Sequence, residues 1–503
     1  MTIKEGNLTL YRLLAWFVLL VLYPVSIYAE TITLERYLSV VRERHPFFKK
    51  EALSTDIEKQ RQSGLLGDED WVLRATPRYT HQEQAREAIG LPSEEQATNI
   101  ETTLERKLWQ TGGRVGLSYR YDFSDQQLED LVIEDLGIGP IVIPVGPGKF
   151  YENSVILSYT QPLLRNAGGL LDRLGYELQG YTVGITAFVT QENQESFLKE
   201  VGIRFIDWAL LSEERRITAG RLRLAEKELQ RSRRKLRANL VDRVDVLRAK
   251  DAVLSTETNV SRVEARWKAK QAEIAALAQE SRLYQMAPEY DLYSTVALPP
   301  IEQAVAQMKH TARILQALQV QASQLAHQRD GLKNAARPQL DLRLSGARKG
   351  GAESSGDAQD FDKTDYQVAL EFRYPLRNRS ARADVRATEL ERQQVVEELR
   401  SQTVNLEADV RNVLVQLKKL ERTLALNREQ INIGRAKTRE EERLHNQGRT
   451  ELTFVIQSRD SEAIARLAYA RTAADYHKLL LEYRALMDQL LPVSAAAPAD
   501  TNG

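Results

Sequence analysis

The feature that most limits the folds open to this chain is a stretch from Leu163 to about Ala238 that has no proline and repeats apolar residues at helical spacing, as in Phe197, Val201, Phe205, Trp208 and Leu211. At a rise of 1.5 Å per residue, about 75 residues make a helix of roughly 110 Å. A second such stretch, Leu376 to about Asn446, gives roughly 105 Å. Helices of this length predict coiled-coil packing rather than a compact bundle. Return helices are expected through Val246–Gln285 and Val455–Leu490.

The order of segments occurs twice. The first half reads as a helix (about 33–65), alternating segments (71–161) and a long helical hairpin (164–285). The second reads as a helix (about 301–335), alternating segments (338–374) and a hairpin (376–490). "ITLERYLSVV" (Ile32–Val41) and "LPPIEQAVAQM" (Leu298–Met308) open the halves, and 286–300 reads as a linker. The expected organisation is an internal duplication, repeat one over 30–285 and repeat two over 301–490, with a disordered tail at 491–503.

The alternating segments have period two. In "RVGLSYRYDF", Val115, Leu117, Tyr119, Tyr121 and Phe123 oppose Gly116, Ser118, Arg120 and Asp122. In "PQLDLRLSG", Leu340, Leu342 and Leu344 oppose Gln339, Asp341, Arg343 and Ser345. In "DYQVALEFRYP", Tyr366, Val368, Leu370, Phe372 and Tyr374 oppose Gln367, Ala369, Glu371 and Arg373. A half-buried soluble sheet alternates in this way, and so does a transmembrane barrel. Aromatic placement favours the barrel. Trp71, Trp109, Tyr159 and Tyr374 fall at one set of strand ends, and Tyr79, Phe123, Tyr151 and Tyr366 at the other. Long polar loops and the short turn Thr111–Gly113 agree with it. The barrel lumen would then be lined by Arg120, Asp122, Asp341, Arg343, Glu371 and Arg373.

Lys and Arg total 70, as do Asp and Glu, so net charge offers no pull toward nucleic acid. Cysteine is absent, which excludes disulfides, thiolate metal sites and a Cys nucleophile. The six histidines are scattered, and there is no nucleophile elbow, phosphate loop or metal spacing. An enzyme, a cofactor and a metal are therefore not expected. At the N-terminus, Lys4 and Arg12, the apolar "LLAWFVLLVLY" (Leu13–Tyr23) and "SIYA" (Ser26–Ala29) read as a secretory signal over 1–29.

The hairpin ends echo each other. "RANLVDRVDVLRA" (Arg237–Ala249) aligns with "NQGRTELTFVIQS" (Asn446–Ser458), setting Asn239 against Gly448 and Asp245 against Phe454. Asn and Gly are the residues that most readily take positive φ, so both positions are expected to reverse the chain. Two further stretches match at the strand-to-helix passages: "YTQPLLRNAGG" (Tyr159–Gly169) and "YPLRNRSARA" (Tyr374–Ala383). Pro162 and Pro375 are expected to end a ladder and to occupy the first turn of the following helix.

With its duplicated halves, these two junctions, "ARPQLDLRLSG" (Ala336–Gly346) and the paired tips, the chain resembles the TolC family of outer-membrane efflux proteins over about 31–490. The resemblance implies a mixed α and β fold: a transmembrane antiparallel β-barrel shared between protomers, continued by a long coiled-coil α-helical periplasmic tunnel. It implies a homotrimer in the outer membrane of a Gram-negative bacterium, in contact with outer-membrane lipid. The partners implied are a periplasmic adaptor and an inner-membrane pump of RND or ABC type, in efflux or type I secretion. The tips (Asn239, Leu240, Val241, Gly448, Arg449, Thr450) would dock the adaptor, and Asp245 and Phe454 are the constriction candidates. The family commonly has an acidic residue at both of the latter places and a glycine at both tips; Phe454 and Asn239 depart from this. Members usually contribute four strands, so the run Glu101–Phe123 either adds two or forms an external hairpin. The competing reading is a soluble periplasmic coiled-coil adaptor or scaffold. Adaptors typically have one hairpin, and this chain has two.

Overall fold

The computed structural model describes residues 30–83, 94–127, 131–133, 141–143 and 148–491. The expected signal segment, much of two long loops and the tail beyond 491 lie outside the described residues. The chain opens with β1 (Thr31–Thr33), α1 (Leu34–Arg44) and α2 (Pro46–Leu65). Strands β2 (Val72–Glu83), β3 (Glu94–Leu108), β4 (Gly113–Gln127), β5 (Leu131–Ile133), β6 (Ile141–Ile143) and β7 (Lys149–Pro162) follow. Two helices, α3 (Leu170–Arg237) and α4 (Arg243–Ala278), come next, then β8 (Ala287–Glu289), α5 (Ile301–Thr311) and α6 (Arg313–Ala335). The last elements are β9 (Gln339–Ala352), β10 (Lys363–Arg373), α7 (Arg379–Asn446) and α8 (Leu452–Leu486). Helices α3 and α7 are each 68 residues long.

The chain divides into two compact units. One comprises Ala52–Thr190 and Arg313–Thr403. It holds an antiparallel six-stranded sheet in the order β10-β9-β7-β4-β3-β2, with β2 and β10 as its free edges. The run Glu101–Phe123 thus lies inside the sheet. Its "LERKLW" alternates poorly because Arg106 opposes Val115 on the apolar face, where its guanidinium lies 6.0 Å from the Trp71 ring centre. A short β5–β6 ladder stands apart from this sheet. In the same unit α3 meets α2 and α6: Gln179 donates to Glu58 at 2.7 Å, and Gln324 to Thr182 at 2.9 Å.

Of three expectations about the strand ends, one holds and two are corrected. The regular pairing of β7 with β9 ends at Pro162, as expected, and two single bonds follow it, Leu163 N–H to Leu340 O at 2.8 Å and Arg165 N–H to Pro338 O at 3.2 Å. Neither proline enters a first helical turn, since α3 starts at Leu170 and α7 at Arg379. The chain turns instead at Asn166 and Asn378, with φ 64° and 41°. Asn166 Oδ1 accepts from Leu171 N–H at 2.9 Å, and Asn378 Nδ2 donates to Ala336 O at 2.8 Å. Finally, Trp109 does not join an exposed aromatic belt. It is buried beside Tyr176, with ring centres 5.9 Å apart.

The other unit comprises the described residues up to Glu51, Gln191–Ala312, and those from Val404 onward. Its core gathers Tyr37, Leu198, Phe205, Ile206, Trp208 and Tyr476, all fully buried. Tyr37 stacks on Phe205 at 5.2 Å. Burial pushes the Tyr37 hydroxyl well above the usual phenol range. The segment expected as a plain linker carries β8, which pairs in parallel with β1. It is pinned further by His477, which meets the Tyr290 hydroxyl at 2.9 Å and Leu292 O at 3.1 Å.

Candidate functional site

Two surfaces have the geometry of function. The first is the six-stranded sheet. Residues directly opposed across an antiparallel ladder share a face, and the register runs unbroken through the sheet. Arg120 opposes Glu101 and Ser154, and Asp122 opposes Asn99 and Glu152. Arg343 opposes Thr160 and Ala369, Glu371 opposes Asp341, and Arg373 opposes Gln339. All six lumen candidates therefore lie on one face. The other face carries the row Leu73, Leu104, Leu117 and Leu157, together with Tyr119, Tyr121, Phe123, Tyr151, Leu370 and Phe372.

Charges on the polar face are matched across strands. Arg120 is 3.3 Å from Glu101, Lys349 is 2.7 Å from Asp365, and Arg343 pairs with Glu371. Asn99 Nδ2 donates to Asp122 at 2.5 Å. The apolar face is open at the β10 edge, where Tyr366 is 85% and Phe372 64% exposed. A sheet that presents a large apolar band on one side and a cross-linked charge lattice on the other suits a boundary between two solvents. Among the described residues no helix is long and apolar enough to cross a membrane.

The second surface is the pair of helix turns. Asn239 has φ 55° and Gly448 φ 73°. Their hydrogen bonds match: Leu240 N–H reaches back to Lys235 O, and Arg449 N–H to Leu444 O, both at 2.9 Å. These bonds close a left-handed helix cap of the Schellman type. Each return helix then starts alike, with Asp245 N–H on Asp242 O and Phe454 N–H on Glu451 O. The basic end of α3 (Arg234, Lys235, Arg237) suits the negative pole of that helix.

The two turns come together. Ala249, Leu452 and Val455 form a buried cluster against Leu229 and Ile456. His445 ties the ends, donating from Nδ1 to Thr450 O at 3.1 Å while Nε2 lies 3.3 Å from Lys235 Nζ. Leu240 and Arg449 are exposed and Val241 and Thr450 half-buried. The constriction candidates differ: Asp245 pairs with Arg248 at 3.4 Å, whereas Phe454 is 51% exposed. Behind them lies a groove of about 540 Å³ lined by Arg221, Asp251, Ile456 and Asp460 among others. Among the described residues no cluster of His, Asp or Glu is placed to hold a metal ion.

Sequence reasoning missed Asn166, Asn378 and Arg459. The first two were signalled by the Arg-Asn pair common to both junction echoes. Arg459 had no local signal, because its partners Glu228 and Glu442 come from α3 and α7.

No protein-family profile and no curated sequence matches the chain. Solved structures do match, outer-membrane channels among them. The chain is similar to CusC, whose structures concern folding and transmembrane channel formation, with a TM-score of 0.64 at 10% identity over 90% of this chain and 91% of that one. It is similar to the outer-membrane protein VceC of Vibrio cholerae, with 0.63 at 10% identity over 90% and 96%. The CmeC outer-membrane channel of Campylobacter jejuni gives 0.62 at 10% identity over 92% and 86%. The chain thus has the fold of TolC-like outer-membrane channels, as the junction and tip motifs implied.

Proposed function

We propose that the protein is an exit duct in the outer membrane of a Gram-negative bacterium. Three copies share one barrel and one helical tunnel, and the cargo leaves through the polar side of the sheet. The observation that supports this best is the continuous two-faced register of the sheet, joined by its own chain to two 68-residue helices. In this reading 1–29 is a cleaved signal and the two halves are repeats of one unit. Arg120, Asp122, Asp341, Arg343, Glu371 and Arg373 line the lumen, and Pro162 and Pro375 mark the passages from barrel to tunnel.

The duct performs no covalent chemistry and takes its energy from an inner-membrane pump of RND or ABC type. A periplasmic adaptor engages the tips at Asn239, Leu240, Val241, Gly448, Arg449 and Thr450. Asp245 and Phe454 narrow the closed end. The test is conductance of purified protein in planar lipid bilayers, with fractionation of cells. Discrete channels and recovery only with detergent are expected. Recovery in the soluble periplasm would overturn the duct in favour of a coiled-coil scaffold.

A further inference from the structure

The sheet leaves two edges bare, and they are unlike each other. Strand β2 runs from the helical end of the sheet toward the long loops, and β10 runs back. Laid side by side from two copies they are antiparallel, so the alternation continues without a break. An edge left unpaired in lipid strands a row of N–H and C=O groups with no water to satisfy them. A head-to-tail pairing of unlike edges closes a ring when the rotation permits.

The side chains select the register. Flush ends place Arg74 opposite Glu371 on the polar face and Tyr79 opposite Tyr366 on the apolar one. Leu73 then meets Phe372. On its own sheet Arg74 has only a 3.8 Å contact with Glu105, and 70% of its side chain is exposed. Slipping β2 by two residues toward the helical end of β10 sets Arg74 against Arg373, a like-charge pair. Slipping by one puts leucines among the charges. Pro77 withholds one donor and leaves the other rungs intact.

We infer that β2 of one copy pairs with β10 of the next, with Arg74 opposite Glu371, and that three copies close an eighteen-stranded barrel. This rests on the duct reading and goes beyond it, because the hairpin β2–β3 supplies the seam. Barrel diameter grows roughly linearly with strand number, so the pore is about 1.5 times as wide as that of a twelve-stranded barrel.

The absence of cysteine makes the seam directly testable. Thr76→Cys with Ala369→Cys, and Ala75→Cys with Leu370→Cys, sample two successive rungs of the seam. Oxidation in isolated membranes is expected to give covalent dimers and trimers with at least one pair, and none with single variants. A preference for Thr76→Cys with Gln367→Cys would overturn the register. Channels that conduct but never cross-link, or that show twelve strands by cryo-EM, would overturn the seam while leaving the duct. Protein that never enters membranes would overturn both.

Discussion

Arg459 Nη1 lies 3.2 Å from a carboxylate oxygen of Glu228, and both side chains are nine-tenths or more buried. The same guanidinium reaches Glu442 at 2.7 Å. One cation thus joins α3, α7 and α8 just behind the tips. Removing one partner from a buried pair leaves an uncompensated charge and costs about 3–5 kcal/mol. Arg459→Ala is expected to speed amide exchange in the ends of both hairpins. Arg459→Met with Glu228→Gln should recover most of the protection, and unchanged exchange in the single variant would refute the claim.

At the tips the left-handed residues separate backbone strain from steric contact. A Cβ on Gly448 meets no atom within 4 Å. Gly448→Ala therefore reports the backbone cost alone, roughly 1–2 kcal/mol. A β-branched residue at Gly448 or Asn239 is expected to cut export while trimers persist on gels. Asn239→Gly should be tolerated. Normal export in both branched variants would remove the tip role.

A Cβ on Gly169 would sit 1.7 Å from Trp109 O, and one on Gly112 would sit 2.3 Å from Asn166 O. Both contacts are with backbone, so neither can be relieved by rotating a side chain. Both glycines also have positive φ. Gly169→Ala and Gly112→Ala are each expected to reduce the yield of folded, membrane-inserted protein severalfold. Gly168→Ala has open space and should cost less.

His477 is held neutral by burial, which pushes its pKa down. Tyr290, Asp291 and Arg484 surround it. A lowered folded pKa means that the unfolded chain binds the proton first. The stabilisation is therefore complete above about pH 6.5 and fades as pH falls toward the folded value. The clasp on the 290–296 segment is expected to loosen in acid. His477→Gln should flatten that dependence, measured as proteolysis of the segment between pH 7.5 and 5.

In the proposed constriction, Phe454 and Asp245 would make opposite demands on passing ions. Phe454→Ala is expected to raise single-channel conductance. Asp245→Asn removes one of the two carboxylates beside Arg248, leaving Glu451 at 3.7 Å, and should shift selectivity toward anions. Unchanged conductance and selectivity in both variants would exclude these positions from the narrowest point.

Much of the fold was legible because it is written in long periodic patterns. Period two in Tyr366–Phe372 and the proline-free run after Leu163 each follow from one local rule. The left-handed tips were legible because Asn and Gly have few rivals at positive φ. The junction was read correctly at the strand end and misread at the helix start, because proline suits both places, whereas the helices begin only after a left-handed asparagine, Asn166 or Asn378. Trp109 was misassigned because a one-dimensional pattern does not show that Arg173 and Tyr176 of α3 lie beside it. Arg459 was invisible for a similar reason. Its partners are supplied by other helices, and no spacing along the chain encodes them.

The two-faced register also governs which changes in chain length the strands tolerate. Losing one residue between Glu94 and Leu108 would exchange the two sides of β3, turning Glu101 and Glu105 toward the apolar face and Ile100 and Leu104 toward the charged one. Losing two adjacent residues would restore the order. Divergence in strand length should therefore proceed in steps of two, and single-residue insertions should accumulate in the connecting loops.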